Sequence, residues 1–159
     1  MSSARHVCQV LDEEHRATLD LLARVRRAAV DPEPAALAAI APGLARALTL
    51  EIGRHFDFEE QQLFPRLHEG GAGDLAALLL EEHHTLRAVA DELLAPARRL
   101  AAGQPLSADA VTSMRRAALE WVERLEAHVH KETLALLPEL ERVLDVASDA
   151  ELAMAYAAQ

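Results

Sequence analysis

His55-Phe-Asp-Phe-Glu59, followed by Leu63, Phe64, Pro65 and Leu67, recurs in this chain as His128-Val-His-Lys-Glu132, followed at the same offsets by Leu136, Leu137, Pro138 and Leu140. Each copy sets an imidazole and a carboxylate four residues apart. On a helix that spacing puts both on one face with Cβ atoms about 5–6 Å apart, within reach of one cation. A second echo lies upstream of each copy, Glu13-Glu14-His15 and Glu81-Glu82-His83, and adds one histidine to each half. The chain thus reads as a doubled helical hairpin that aims four histidines and two glutamates inward, and a two-metal site is the leading expectation.

Composition frames that motif. At 159 residues the chain has the size of one core, so a single domain over residues 1–159 is expected. Hydrophobic residues make up 51% and aromatics only 3%, an Ala, Leu and Val palette that suits packed helices rather than a β-sandwich. A formal net charge of -10 argues against nucleic acid or an anionic membrane as partner, because tracking phosphates requires an excess of Lys and Arg. The basic pairs Arg26-Arg27, Arg98-Arg99 and Arg115-Arg116 fall inside helical patterns and read as solvated faces. The start, Met1-Ser-Ser-Ala-Arg5, runs into a charged segment, and no window is expected to reach the ~18 apolar residues of a membrane span. A cytoplasmic location follows as an expectation, and the single cysteine, Cys8, agrees with a reducing compartment.

The apolar period divides the chain into four helices. The first is expected over about residues 4–29, with Leu11, His15, Leu22 and Val25 on one stripe, and Asp31-Pro-Glu-Pro34 ends it. The second runs over about 34–68, with a reset at Pro42-Gly43, and Gly70-Gly71-Ala-Gly73 separates the halves. The third, about 74–101, takes Asp74 as N-cap and bends near Pro96; the fourth, about 107–137, takes Ser107 as cap. A helical tail fills 139–159. Four long helices with short connections give an all-α fold, an up-down-up-down antiparallel four-helix bundle.

Imidazole combined with carboxylate suits iron, manganese or zinc, whereas an all-oxygen set would suit magnesium or calcium. Two buried carboxylates cost several kcal/mol each unless cations compensate them, and two divalent ions would do so. If both glutamates bridge, each ion sees two histidines and two carboxylate oxygens and keeps a position open for a small molecule. His84 competes with His83. It shares its face with Glu81, Arg87 and Asp91, however, while His83 shares its own with Leu79, Leu86 and Ala90, so the period selects His83. Glu14 and Glu82 are candidates to accept from the far ring nitrogen of a histidine or are simply solvated charge, and Arg87 either reaches toward the site mouth or is solvated; the solvated reading is favoured for all three. His6, His68 and His130 read as surface, Cys8 as a small buried hydrophobe, and Phe56, Phe58, Phe64 and Trp121 as packing around the site. Pro65 and Pro138 each remove a donor and are expected to bend the ends of helices two and four.

This pattern resembles the hemerythrin-like (HHE cation-binding) domains, from about Val10 to Leu140. The resemblance implies a four-helix bundle around a non-haem di-iron centre, with His15, His55, Glu59, His83, His128 and Glu132 as metal ligands. It further implies two iron ions, replaceable by manganese or zinc, and oxygen, nitric oxide or peroxide as the small molecules met there, in sensing, scavenging or stress response. Two positions depart from the oxygen carriers of that family: Arg87 stands where they have a second third-helix histidine, and Thr133 where they have a carboxylate. A set of four histidines and two glutamates looks more like the iron-sulfur-cluster repair proteins and related bacterial domains. Iron storage or donation, including cluster repair, and a structural or signalling bundle held by its cation are therefore the alternative expectations.

Overall fold

A computed structural model describes residues 5–158; Ala4, the expected start of the first helix, and Gln159, the expected end of the tail, lie outside the described residues. Five helices account for the described chain: α1 (His6–Val30), α2 (Pro34–Glu69), α3 (Gly73–Ala101), α4 (residues 108–143) and α5 (Val146–Ala157). Helix α1 packs on α2 and α4, and α3 packs on the same two, so the four long helices form a ring of neighbours; α5 lies on α1.

The end signals act as the sequence suggests in some places and not in others. The Ser107 hydroxyl accepts the Ala110 N–H and caps α4. Asp74 does not cap α3, whose cap position is Ala72, and instead places its carboxylate in the first turn, where the helix dipole favours it. Gly71 takes a left-handed φ of +87° that an L side chain rarely adopts. At Gly73 an added Cβ would stand 2.5 Å from the His68 ring, so the bare backbone lets α2 and α3 meet closely at the turn.

Helix α2 runs through Pro42-Gly43 without the expected reset. Pro42 and Ala38 are exposed, so the carbonyl that Pro42 leaves without a helical donor faces solvent. Helix α3 likewise continues through Pro96. At Pro65 and Pro138 the helices widen rather than stop. A π-helical turn, Glu59–Leu63 or Glu132–Leu136, precedes each proline, and α4 therefore continues to Val143 instead of ending near residue 137. A third π-helical turn, Ala47–Glu51, sits where the Thr49 hydroxyl donates to the Ala45 carbonyl and competes with the ladder.

One window of α2 is long and apolar enough by composition to cross a membrane, against the sequence expectation. Seven alanines between Pro34 and Leu50 keep that stretch nearly free of charge between its leucines and isoleucine while adding little side-chain area to bury, and only 28% of the window is buried. Two apolar clusters flank the centre of the bundle. One contains Leu22, Val25, Leu86, Trp121 and Leu125, and the other Leu11, Phe58, Leu63, Leu79 and Leu136. On each long helix the inward histidine lies between a residue of one cluster and a residue of the other, which fixes the polar layer at mid-height.

Candidate metal centre

The six residues selected by the period meet in that layer. His15, His83, His128, Glu59 and Glu132 are buried, and His55 is 12% exposed. His84, His6, His68 and His130 are exposed. Helical spacing brings His55 Nε2 to 3.3 Å from Glu59 Oε1 and His128 Nε2 to 2.8 Å from Glu132 Oε1. The other helices complete the set: His15 Nε2 lies 3.0 Å from Glu132 Oε2, and His83 Nε2 lies 3.3 Å from Glu59 Oε2. Two overlapping quartets result, His15-His55-Glu59-Glu132 and Glu59-His83-His128-Glu132, each with one ligand atom per residue within 4.8 Å of the others. Both glutamates belong to both quartets.

All four imidazoles turn Nε2 inward because Nδ1 is held from outside, and the holders pass from helix to helix around the ring. Glu14 of α1 takes His55 Nδ1 of α2 at 2.8 Å; Glu60 of α2 takes His83 of α3 at 2.8 Å; Glu82 of α3 takes His128 of α4 at 2.8 Å. Thr133 of α4 closes the circle on His15 of α1 at 3.1 Å. The Thr133 hydroxyl donates its proton to the Val129 carbonyl, so it accepts the His15 Nδ1 proton and leaves the lone pair on Nε2. Each carboxylate in turn has a cation: Arg54 for Glu14, Arg87 for Glu60 and Lys131 for Glu82. Partners of this kind fix ring orientation and raise donor strength in metal sites.

Three side chains read from sequence as solvated charge are corrected here. Glu14 and Glu82 orient His55 and His128, and Arg87 bridges Glu60 and Asp57 while its guanidinium lies 5.4 Å from the Phe56 ring centre. On a helix the residue next to an inward ligand is rotated about 100°, toward the neighbouring helix rather than away from the bundle. Glu60 and Thr133 were given no role from the sequence, although they occupy equivalent places in the doubled motif, one residue after Glu59 and Glu132. Phe56 stacks on His83 with ring centres 3.8 Å apart, and Phe64 covers its other neighbourhood at 5.5 Å, in the packing role expected of them. Tyr156 of α5 packs edge-on against Phe58; burial, with Glu14 beside it, pushes its phenol up to about 12. Cys8 is buried, and burial together with Glu141 and Asp149 raises its thiol to about 12, which leaves it inert.

The electrostatics of the centre ask for positive charge. Burial opposes protonation of His55, His83 and His128, yet the facing carboxylates outweigh it and raise all three, His83 to about 9. Burial likewise works against Glu132 as an anion, and the close imidazoles of His128, His15, His55 and His83 hold it well below the usual carboxylate range. Despite these short distances, both oxygens of Glu59 and of Glu132 and Nε2 of His15 lack a hydrogen bond of acceptable angle. Their lone pairs converge on shared points instead of on one another's protons. His83 and His128 also face each other Nε2 to Nε2 at 3.0 Å, with Nδ1 of each already engaged, an arrangement that requires a proton or a metal cation between them. A nitrogen- and oxygen-donor set of this kind fits a divalent metal such as iron, manganese or zinc.

No curated protein matches the chain at a significant level. The model of the hemerythrin HHE cation binding domain matches residues 6–148, nearly the whole of the chain and every residue of the two quartets, and the protein belongs to that family.

Proposed function

We propose that the four long helices form an up-down-up-down bundle that holds two metal ions, iron by preference and manganese or zinc as replacements, for interaction with oxygen, nitric oxide or peroxide. The observation that carries this reading is the sharing of Glu59 and Glu132 between two histidine quartets, since a single ion would leave half of the inward donors unused. Iron bound there supplies redox chemistry and a coordination position for a small molecule. The protein's own residues do the rest. His15, His55, His83 and His128 present neutral Nε2 donors, and Glu59 and Glu132 supply the two negative charges that offset the cations. Glu14, Glu60, Glu82 and Thr133 hold the rings in that orientation. Phe56 and Phe64 keep water from the His83 side.

Because every ligand is buried or nearly so and every histidine is fixed from behind, retention of metal is favoured over ready release, which weighs against an iron donor. Elemental analysis of freshly purified protein together with its optical spectrum tests the reading. Two ions per chain and an absorption band that responds to azide, peroxide or nitric oxide are expected. One ion per chain, or a spectrum indifferent to all three, would sink it.

A further inference from the structure

A cleft of about 820 Å³ opens between α1 and α2, and His15, His55 and Glu132 form its floor. Of the histidines it reaches those of one quartet: His15 and His55 line it, neither His83 nor His128 does, and His55 is the one ligand with appreciable exposure. That volume lies within the ~300–1,000 Å³ of sites for drug-sized ligands. A water-sized molecule needs roughly 30 Å³, so the cleft far exceeds what a diatomic or hydrogen peroxide requires.

Leu21 of α1, Leu50 and Ile52 of α2 and Val129 of α4 make its walls apolar, and Leu50 is 61% exposed at the edge. Its rim carries three arginines, Arg24, Arg46 and Arg54, together with two carboxylates, Glu14 and Glu51. Arg46 is paired with Glu51 at 3.0 Å and Arg54 with Glu14 at 3.4 Å. Arg24 is exposed and has no hydrogen-bond or ion-pair partner among the described residues. It stands on the helix of His15, about 13 Å further along the axis and about half a turn around it, a separation that a hydrocarbon chain of about ten carbons or more would span. A free guanidinium at one end, apolar walls between, and the metal-ligand floor at the other end define one kind of molecule.

We propose that this cleft binds a medium-chain anionic amphiphile, a singly charged carboxylate whose head pairs with Arg24 and whose hydrocarbon chain runs along the apolar walls toward His15 and His55. This names the substrate class of the centre and rests on the reading above only for what happens at the floor, because the binding contacts belong to the protein alone. Arginine suits the head, since its fork can take both carboxylate oxygens.

Calorimetric titration with decanoate, on metal-free and metal-loaded protein alike, tests it. Saturable binding of one decanoate per chain is expected in both forms, with acetate and decyltrimethylammonium failing to bind. Arg24→Glu should weaken decanoate about fivefold or more, the loss of one charge-assisted contact at an exposed site. Gly43 lines the cleft, and a Cβ added there meets nothing within 4 Å, so Gly43→Trp should place an indole in the cleft and weaken decanoate binding, with the fold retained by circular dichroism. Absence of saturable decanoate binding, or equal binding by the wild type and both variants, would overturn the proposal. Two ions per chain without decanoate binding would remove the cleft proposal alone, whereas decanoate binding by a chain that holds fewer than two ions would remove the dinuclear reading alone.

Discussion

Removing metal should reverse the pH dependence of stability. Without metal, burial alone would make His83 shed its proton early, but the facing carboxylates of Glu132 and Glu59 prevail and hold the proton up to about 9. His55 and His128 shift in the same direction. A group whose folded pKa exceeds its unfolded value of 6.5 stabilises the fold fully below pH 6.5 and loses that contribution as pH rises through the folded value. For His83 the shift from 6.5 to about 9 amounts to about 3 kcal/mol, at ~1.4 kcal/mol per unit. The metal-free protein should therefore lose stability from pH 6.5 to 9. Glu132 sets its acid limit, because a depressed carboxylate contributes above 4.5 and loses that contribution as pH falls through the folded value. Metal-loaded protein needs neutral imidazoles, so binding expels protons and stability should climb with pH up to about 6.5 and hold beyond it. Urea unfolding across this range, with chelator in one series and fixed free metal in the other, measures both slopes. Parallel profiles, or a metal-free protein that gains stability from pH 6.5 to 9, would refute the reasoning.

Further outcomes follow from individual residues. His83→Ala should lower metal affinity on the order of tenfold or more while His84→Ala changes little, and the reverse ranking in a competition titration would place the ligand on the other face. Glu60→Gln, which keeps the shape but removes the charge behind His83, should weaken metal binding on the order of 10- to 100-fold with the fold retained by circular dichroism; unchanged affinity would show that the 2.8 Å contact orients nothing. Arg87→Ala acts through Glu60 and should show a smaller loss in the same titration.

The period of 3.6 residues made the inward face legible, because burial of an apolar stripe forces any polar residue on that stripe into the core. His83 could thus be told from His84 without coordinates. The outer partners were not legible in the same way. Glu14, Glu60 and Glu82 each sit one residue from a ligand on their own helix and serve a histidine on the next, so their role exists only once the order of neighbours around the ring is known. The adjacent acidic pairs Glu13-Glu14, Glu59-Glu60 and Glu81-Glu82 are the one available signal, and a reading that weighs single residues assigns the outward member to solvent. The helix ends failed for a related reason. Propensity predicts that Pro65 and Pro138 bend or end a helix, whereas a wider turn just before each proline eases the clash of its ring with the preceding carbonyl. At the first of these the Arg66 guanidinium also donates to the Gln62 carbonyl, in the stretch where Pro65 offers no N–H.

The ring of outer partners also carries an asymmetry that the doubled sequence would not suggest. Three of its four members are carboxylates, each neutralised by its own Arg or Lys, so together they add no net charge and the centre keeps the two negative charges of Glu59 and Glu132. The fourth is Thr133, a neutral hydroxyl in the place that Glu60 holds in the other repeat. A carboxylate behind an imidazole raises its basicity as a donor, and a hydroxyl does so less. His15 is therefore the weakest of the four nitrogen donors, and it belongs to the quartet with the partly exposed His55 and the cleft at its door. Weaker donation and open access coincide on one side of the centre, while the His83 and His128 side combines stronger donors with an aromatic seal. On the proposed dinuclear reading the two halves of a repeated motif divide the work, one holding metal tightly and the other meeting whatever enters.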